Sequence, residues 1–305
     1  MLIELKQVSK SFERVQALHS VDLEIPSGRK VALVGPNGSG KSTLTRVLTG
    51  LLRYEGSARL DGLCPSRDRA ALAPRIAYVP QIAPRFGVKV SEFVRLVTRV
   101  RGLTLERVAT LCEELGLDLD LVAGRRFREL SGGMRQKLLI ALALAPNCEL
   151  LIMDEPTASL DAGARQRFFE LFEREARGAT LVLCSHRLVE IRHLVDHVVV
   201  LEEGRVTRTQ DARSLLGGGA SESTVEALVA EGQDPERMLA LGFGGGRGGW
   251  WTRRVSREDK MDCLRSLEAA LGEGLLDLQV RDTETLDLAQ VVRAAPSAAL
   301  AEELA

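Results

Sequence analysis

The sequence predicts an α/β fold with a mostly parallel sheet, followed by a small α+β appendix. Three observations carry this. Apolar, β-branched runs alternate with helical periodicity, a glycine-rich turn joins one such run to a helix, and two late glycine tracts set the last stretch apart. Ile3-Glu4-Leu5 and Val21-Asp22-Leu23-Glu24-Ile25 are β-type runs, closed by the turn Pro26-Ser27-Gly28. Lys30-Val31-Ala32-Leu33-Val34 is continuous, as a strand buried on both faces should be. A helix over 41–48 follows and stops at Gly50. Residues 91–116 carry helical periodicity in Phe93, Leu96, Val97 and Val100, then Val108, Leu111 and Leu115, with Gly102 and Gly116 as punctuation. After Ser131-Gly132-Gly133 a long helix runs to Ala145 and ends at Pro146-Asn147. Leu150-Leu151-Ile152-Met153 and Thr180-Leu181-Val182-Leu183-Cys184 read as buried strands around a helix over 162–176. Gly217-Gly218-Gly219-Ala220-Ser221 has linker composition, and a second glycine tract covers 244–249. A strand over 252–255, a helix over 257–271, a strand over 275–280 and a helix over 286–294 complete the expectation. It divides the chain into 1–216 and a separately folding 217–305.

With 305 residues, 45% of them apolar and 27% charged, a disordered or fibrous chain is excluded. The net charge of −1 supplies no overall field for nucleic acid or an anionic bilayer, so no nucleic-acid partner is expected. Five scattered cysteines without a C-x-x-C pair argue against a disulfide framework or a zinc knuckle, and read as reduced thiols in cytoplasm. Glu4 stands where a signal peptide would need a basic and then apolar run. The longest charge-free apolar stretch in the middle of the chain, 138–148, is far below the ~18 residues that span a bilayer. Work at a membrane would therefore need another subunit.

Gly35-Pro36-Asn37-Gly38-Ser39-Gly40-Lys41-Ser42 matches G-x-x-x-x-G-K-S between a buried strand and a helix, the context that pattern requires. Its glycines let backbone N–H groups turn onto phosphate oxygens, helped by the helix N-terminus. Lys41 would hold the β/γ phosphates and Ser42 would bind Mg²⁺, with Thr43 next in the loop. Asp154 and Glu155 end a buried strand, where an open α/β sheet binds ligands. Asp154 can meet the metal shell while Glu155 polarises an attacking water. Between these motifs stands Leu130-Ser131-Gly132-Gly133-Met134-Arg135-Gln136.

Over about residues 1–210 the sequence resembles the ATP-binding cassette family, the ATPase subunits of ABC transporters. The resemblance implies a P-loop NTPase with a RecA-like core sheet and an inserted helical subdomain at about 84–145. It implies ATP and Mg²⁺ as cofactors. Phe12 matches the aromatic that stacks on adenine, Gln81 the glutamine loop that reaches the metal, Ser159-Leu160-Asp161 the dimer-contact loop, and His186 the switch histidine. Met134 departs from the usual glutamine, but Ser131, Gly132 and Gly133 remain. In the family that loop faces the nucleotide of a second ATPase subunit, so a homodimer sandwiching two ATP molecules is implied.

The same resemblance implies a transmembrane permease partner, with residues 84–128 offering it a groove, and a peripheral place on the inner face of the cell membrane. Arg85, Arg95, Arg99, Arg101 and Arg107 read as solvated surface ahead of a lining for that groove, and His19, His193 and His197 as structural. The motif at 131–136 and the ending Thr283-Glu284-Thr285-Leu286-Asp287 resemble ABC-2 type exporters, while the glutamine loop suits an importer equally. A cassette acting on ribosomes or DNA is the rival class; such proteins usually carry two cassettes or a long coiled-coil insertion. Trp250 and Trp251, the only tryptophans, read as inward packing ahead of a docking surface.

Overall fold

The structure is a computed structural model describing residues 1–13, 15–217, 222–230, 232, 234–246, 248–256 and 259–282. It has two compact units. The first takes in Met1–His186 and Glu190–Ala212, and the second takes in Arg187–Val189 and the described residues from Arg213 on.

The first unit contains two sheets. One is antiparallel, with β1 (Ile3–Phe12) between β2 (Val15–Ile25) and β4 (Glu55–Leu60). β1 and β2 are far longer than the short runs visible in the sequence. Register shifts after Leu5 and again after Val8 break the alternation, and Gln7 and Ser20 take positive φ, so no single period-2 phase survives. The second sheet has the order β5 (Ile76–Val79), β6 (Leu150–Asp154), β7 (Thr180–Cys184), β3 (Lys30–Val34), β8 (His197–Glu202), β9 (Arg205–Asp211). All neighbours are parallel except β8 and β9. Helix α1 (Lys41–Leu48) contributes Leu44, Val47 and Leu48 to one buried cluster with Ile3 and Leu18 of the first sheet and Ile152 and Val182 of the second. After β4 comes the single turn α2 (Arg69–Leu72).

The helical stretch is α3 (Val90–Arg101), α4 (Leu105–Glu114), α5 (Leu119–Val122) and α6 (Gly132–Leu144). Gly102 closes α3 at φ 65°, and the Thr104 hydroxyl caps α4. The buried stripe of α3 is Val90, Val94 and Thr98. Leu96 and Val100, which the periodicity assigned to the apolar face, are 61% and 74% exposed. Phe93 is drawn instead to Phe86 and Phe127, at centroid distances of 5.4 and 5.0 Å, and that cluster sets the rotation of the helix. Two of the five arginines are tied down: Arg101 donates to the Ile76 carbonyl at 2.9 Å, and Arg107 pairs with Glu175. α7 (Ala162–Glu175) joins β6 to β7, and α8 (Leu188–Leu194) follows β7. His193 stacks on Phe169 at 4.8 Å, and His197 is buried. All five cysteines are free thiols.

The main run of the second unit starts within α9 (Ala212–Gly217). Its strands β10 (Glu222–Val229), β11 (Gly244–Gly245), β12 (Trp250–Ser256) and β13 (Leu275–Asp282) form an antiparallel sheet in the order β11-β12-β10-β13. With α10 (Pro235–Ala240) and α11 (Lys260–Leu271) this is a βαββαβ chain. β10 and α10 lie between the two glycine tracts, where the sequence reading places no strand or helix. Val225, Ala227 and Val229 alternate on β10 and meet Met238, Val255 and Leu267 in a core of their own. Trp251, opposite Ala227, packs against that core, while Trp250, opposite Leu228, is on the other face of the sheet. The helix expected over 286–294 lies outside the described residues.

Candidate functional site

Four adjacent parallel strands present their C-terminal ends side by side. Gln81 follows β5, Asp154 and Glu155 end β6, Ser185 and His186 follow β7, and the glycine-rich loop follows β3. This edge of an open α/β sheet is where ligands bind, because the strand ends and helix N-termini leave backbone donors unpaired.

The loop conformation requires its glycines. Gly35, at φ 153°, would place a Cβ 2.0 Å from the Leu201 carbonyl oxygen, and Gly40, the N-cap of α1 at φ 103°, would place one 2.5 Å from that of Ala17. Lys41 Nζ donates to the carbonyls of Gly35 and Pro36 at 2.7 and 2.9 Å, which holds the ammonium at the mouth of the loop. Burial lowers its pKa, and Asp154 and Glu155 are among the groups opposing that. Ser42 Oγ donates to Asp154 Oδ2 at 3.5 Å. Burial, and then the neighbouring Glu155, raise the pKa of Asp154, while the Ser42 hydroxyl and Lys41 pull it down. No cluster of three or more His, Cys, Asp or Glu among the described residues could hold a metal alone. One hydroxyl and one buried carboxylate are the hard oxygen donors that fit Mg²⁺, which usually binds through one or two carboxylates and substrate phosphates.

Glu155 is buried and adopts φ 46°, unusual for a residue with a side chain. Its N–H donates to the Cys184 carbonyl at 2.8 Å, and its Oε1 accepts from the His186 N–H at 3.2 Å. His186 Nδ1 lies 2.5 Å from the same oxygen, so the Nδ1–H tautomer donates to it. Oε2 is buried and finds no hydrogen-bond partner among the described residues. A buried carboxylate oxygen is rarely left so, and marks a place for a polar ligand atom.

A second cluster lies at the start of α6. Ser131 caps the helix, its Oγ accepting from the Met134 N–H at 3.2 Å. Gly133 packs so closely that a Cβ there would meet the Ser159 carbonyl oxygen at 2.9 Å, and Gly132 lies against the Ser159 side chain. Asp161 caps α7 by accepting from the Ala164 N–H at 2.8 Å and lies 3.7 Å from Lys137. That backbone hydrogen bond, with Lys137 and Arg167 nearby, holds its carboxyl below the usual range. Phe12, 42% exposed, ends the β1–β2 hairpin with the Lys10 ammonium 5.0 Å from its ring centroid. Hydrogen bonds thus join Ser42 to Asp154 and Glu155 to His186 at the strand ends, while Gly132 and Gly133 pack on Ser159 and Asp161 faces Lys137 of the same helix. Gln81 is exposed beyond β5. Gln136 has a structural role that the sequence alone does not assign, donating to the Pro80 and Pro156 carbonyls. For Gln136 the available signal was a polar residue entering an apolar helical run.

A family profile described as ABC transporter matches residues 18–158. The lantibiotic transport ATP-binding protein SrtF of Streptococcus pyogenes is 32% identical over 207 residues, covering 67% of this chain and 89% of the relative. This chain belongs to the ABC transporter family. The ribose import ATP-binding protein RbsA of Caldanaerobacter subterraneus subsp. tengcongensis is 35% identical to this ABC chain, which spans 79% of itself but only 52% of RbsA. Nod factor export ATP-binding protein I of Bradyrhizobium diazoefficiens is 38% identical, covering 67% and 68% of the two chains. Among solved structures, the dimeric cassette MJ0796 bound to ADP and Pi superposes with a TM-score of 0.61 at 27% identity, covering 69% of this chain and 99% of that one. The fold is therefore a P-loop NTPase cassette, and the protein an ABC ATPase. No helix among the described residues is long and apolar enough to cross a membrane.

Proposed function

We propose that this chain is the ATP-hydrolysing subunit that drives a separate transmembrane permease, working as a homodimer at the cytoplasmic face of the membrane. The observation that carries the reading is Glu155, fixed by His186 through one oxygen, with its other oxygen unpartnered, beside the Ser42–Asp154 pair. Backbone donors of residues 35–43 and the Lys41 ammonium hold the phosphates. Ser42, Asp154 and Gln81 would hold Mg²⁺, which would neutralise charge on the transferring phosphoryl group. Glu155 Oε2 accepts a hydrogen bond from water and aims its oxygen at the γ-phosphorus. The new P–O bond forms as the bond to the ADP oxygen breaks. His186 spends Nδ1 on Glu155 and leaves Nε2 for a γ-phosphate oxygen. Phe12 stacks on adenine. Ser131, with the N–H groups opening α6, completes the partner's nucleotide site, and Asp161 lies at that junction.

A groove of about 290 Å³ between α3, α4 and α5, lined by Val90, Val94, Leu105, Ala109 and Leu119, offers the permease an apolar seat. Leu96 and Val100 of α3 and Leu121 of α5 are also apolar and more than half exposed. Export is the direction we propose, supported by the export-named Nod factor relatives and by the resemblance of residues 131–136 to ABC-2 exporters. Affinity purification of the tagged protein from detergent-solubilised membranes tests the assignment. A co-purifying polytopic membrane protein and ATP-dependent movement of its cargo outward are the expected results; ribosomal RNA or DNA in its place overturns it.

A further inference from the structure

Gln136 lies on α6, five residues after the Ser131 cap, with only 1% of its surface exposed. Its neighbours along the buried side of the helix, Leu138, Ile140 and Ala141, are apolar, so an amide here must find its partners internally. Nε2 donates to the Pro156 carbonyl at 3.1 Å and reaches the Pro80 carbonyl at 3.4 Å. Pro156 directly follows Glu155, and Pro80 directly precedes Gln81. The backbone ladder between β5 and β6 ends at the pair Val79–Met153. Gln136 therefore adds a side-chain rung beyond the last backbone one, joining the two strand ends that carry Gln81 and Glu155. The same turn is gripped further along, where the Thr157 hydroxyl donates to Glu190, both residues fully buried. A non-glycine residue persists at φ 46° only when its surroundings over-determine it, and these bonds grip the turn directly after Glu155.

We infer that Gln136 is a positioning residue: it holds the Glu155 turn and the Gln81 loop to the Ser131 helix, so that the position of that helix sets the placement of Glu155. This rests on the reading of Glu155 as the water-orienting carboxylate. One helix carries both the Ser131 cap and the amide that holds Glu155, so engagement of phosphate by Ser131 bears on hydrolysis at Glu155 in the same chain. A side chain that merely filled space would have no such effect.

The test uses the full chain with Gln136→Met, which keeps the volume and loses the donors. Turnover is expected to fall on the order of tenfold or more, since small misplacement of a reacting group costs that much. The Kd for a fluorescent ATP analogue in Mg²⁺ should stay within about twofold. A Gln136→Met/Glu155→Gln double variant should be no slower than Glu155→Gln alone, because both act on one step. Unchanged turnover, an equal loss of affinity, or losses that multiply would each overturn the inference. Gln136→Asn, with a shorter reach, should show the same split in weaker form, and failure of both single variants to fold would reduce Gln136 to a stability role and overturn it too. Glu155→Gln alone separates the two ideas. If it retains full turnover the catalytic reading falls; if it is inactive while Gln136→Met is normal, only the coupling falls.

Discussion

Glu155 and His186 share one oxygen: Oε1 accepts from both the backbone N–H and Nδ1 of His186, at 3.2 and 2.5 Å, and Oε2 is left buried and unpartnered among the described residues. The shared oxygen fixes the carboxylate plane, which leaves the second oxygen aimed and available. The arrangement makes the two residues act as a unit, so their substitutions should not be additive.

Glu155→Gln keeps the shape and removes the charge. We expect retained Mg-ATP binding and a loss of turnover on the order of 10²-fold or more, read by phosphate release. Turnover at the parent rate would refute the assignment.

Lys41→Ala should act at binding. The ammonium sits at the mouth of the phosphate loop, held by Gly35 and Pro36, so its removal should raise the Kd for ATP in a direct titration, while the folded state persists. Tight binding by the variant would displace Lys41 from the phosphate site.

Gly35→Ala and Gly38→Ala separate steric from backbone cost. A Cβ at Gly35 falls 2.0 Å from the Leu201 carbonyl oxygen, whereas one at Gly38 meets nothing within 4 Å. Denaturant melts should show Gly35→Ala losing on the order of 1–3 kcal/mol and Gly38→Ala distinctly less. Equal losses would mean that the loop relaxes.

Association should depend on nucleotide, because Ser131 of each copy is proposed to complete the other's site. Sedimentation of the Glu155→Gln protein should show a dimer with ATP and a smaller species without it, and Ser131→Arg should abolish the difference. One mass under both conditions counts against a shared site.

Cys64 should be the reactive thiol. Partial burial pushes it up, but hydrogen bonds with Ser66 and Tyr54 outweigh this and bring its pKa down to about 7. Burial takes Cys112 up to about 12 and raises Cys148 and Cys184. The Cys64 thiolate fraction rises as pH passes 7, so alkylation of the native protein should level off about one unit above that, with mass spectrometry placing the label on Cys64. Label on the buried thiols first would contradict this order.

Some features of this protein are properties of the chain itself. Strands buried on both faces announce themselves as the apolar runs Val31 to Val34 and Leu150 to Met153. The loop at 35–42 is readable because its glycines answer a local backbone requirement, and Ser131 and Asp161 cap helices that start where the sequence places them. These signals depend on neighbours a few residues away, so sequence order conveys them. The tertiary structure decided what depends on residues far apart. The face of α3 was settled by Phe86 and Phe127, not by its own periodicity, which left Leu96 and Val100 outside. β10 emerged from glycine-flanked sequence because β12 and β13 pair with it on either side. Gln136 gained its role only when folding carried Pro80 and Pro156, 56 and 20 residues away, to the same amide. A buried hydrogen bond between distant segments leaves no periodic trace in the chain, since its energy depends on desolvation and geometry that exist only after the strands are side by side.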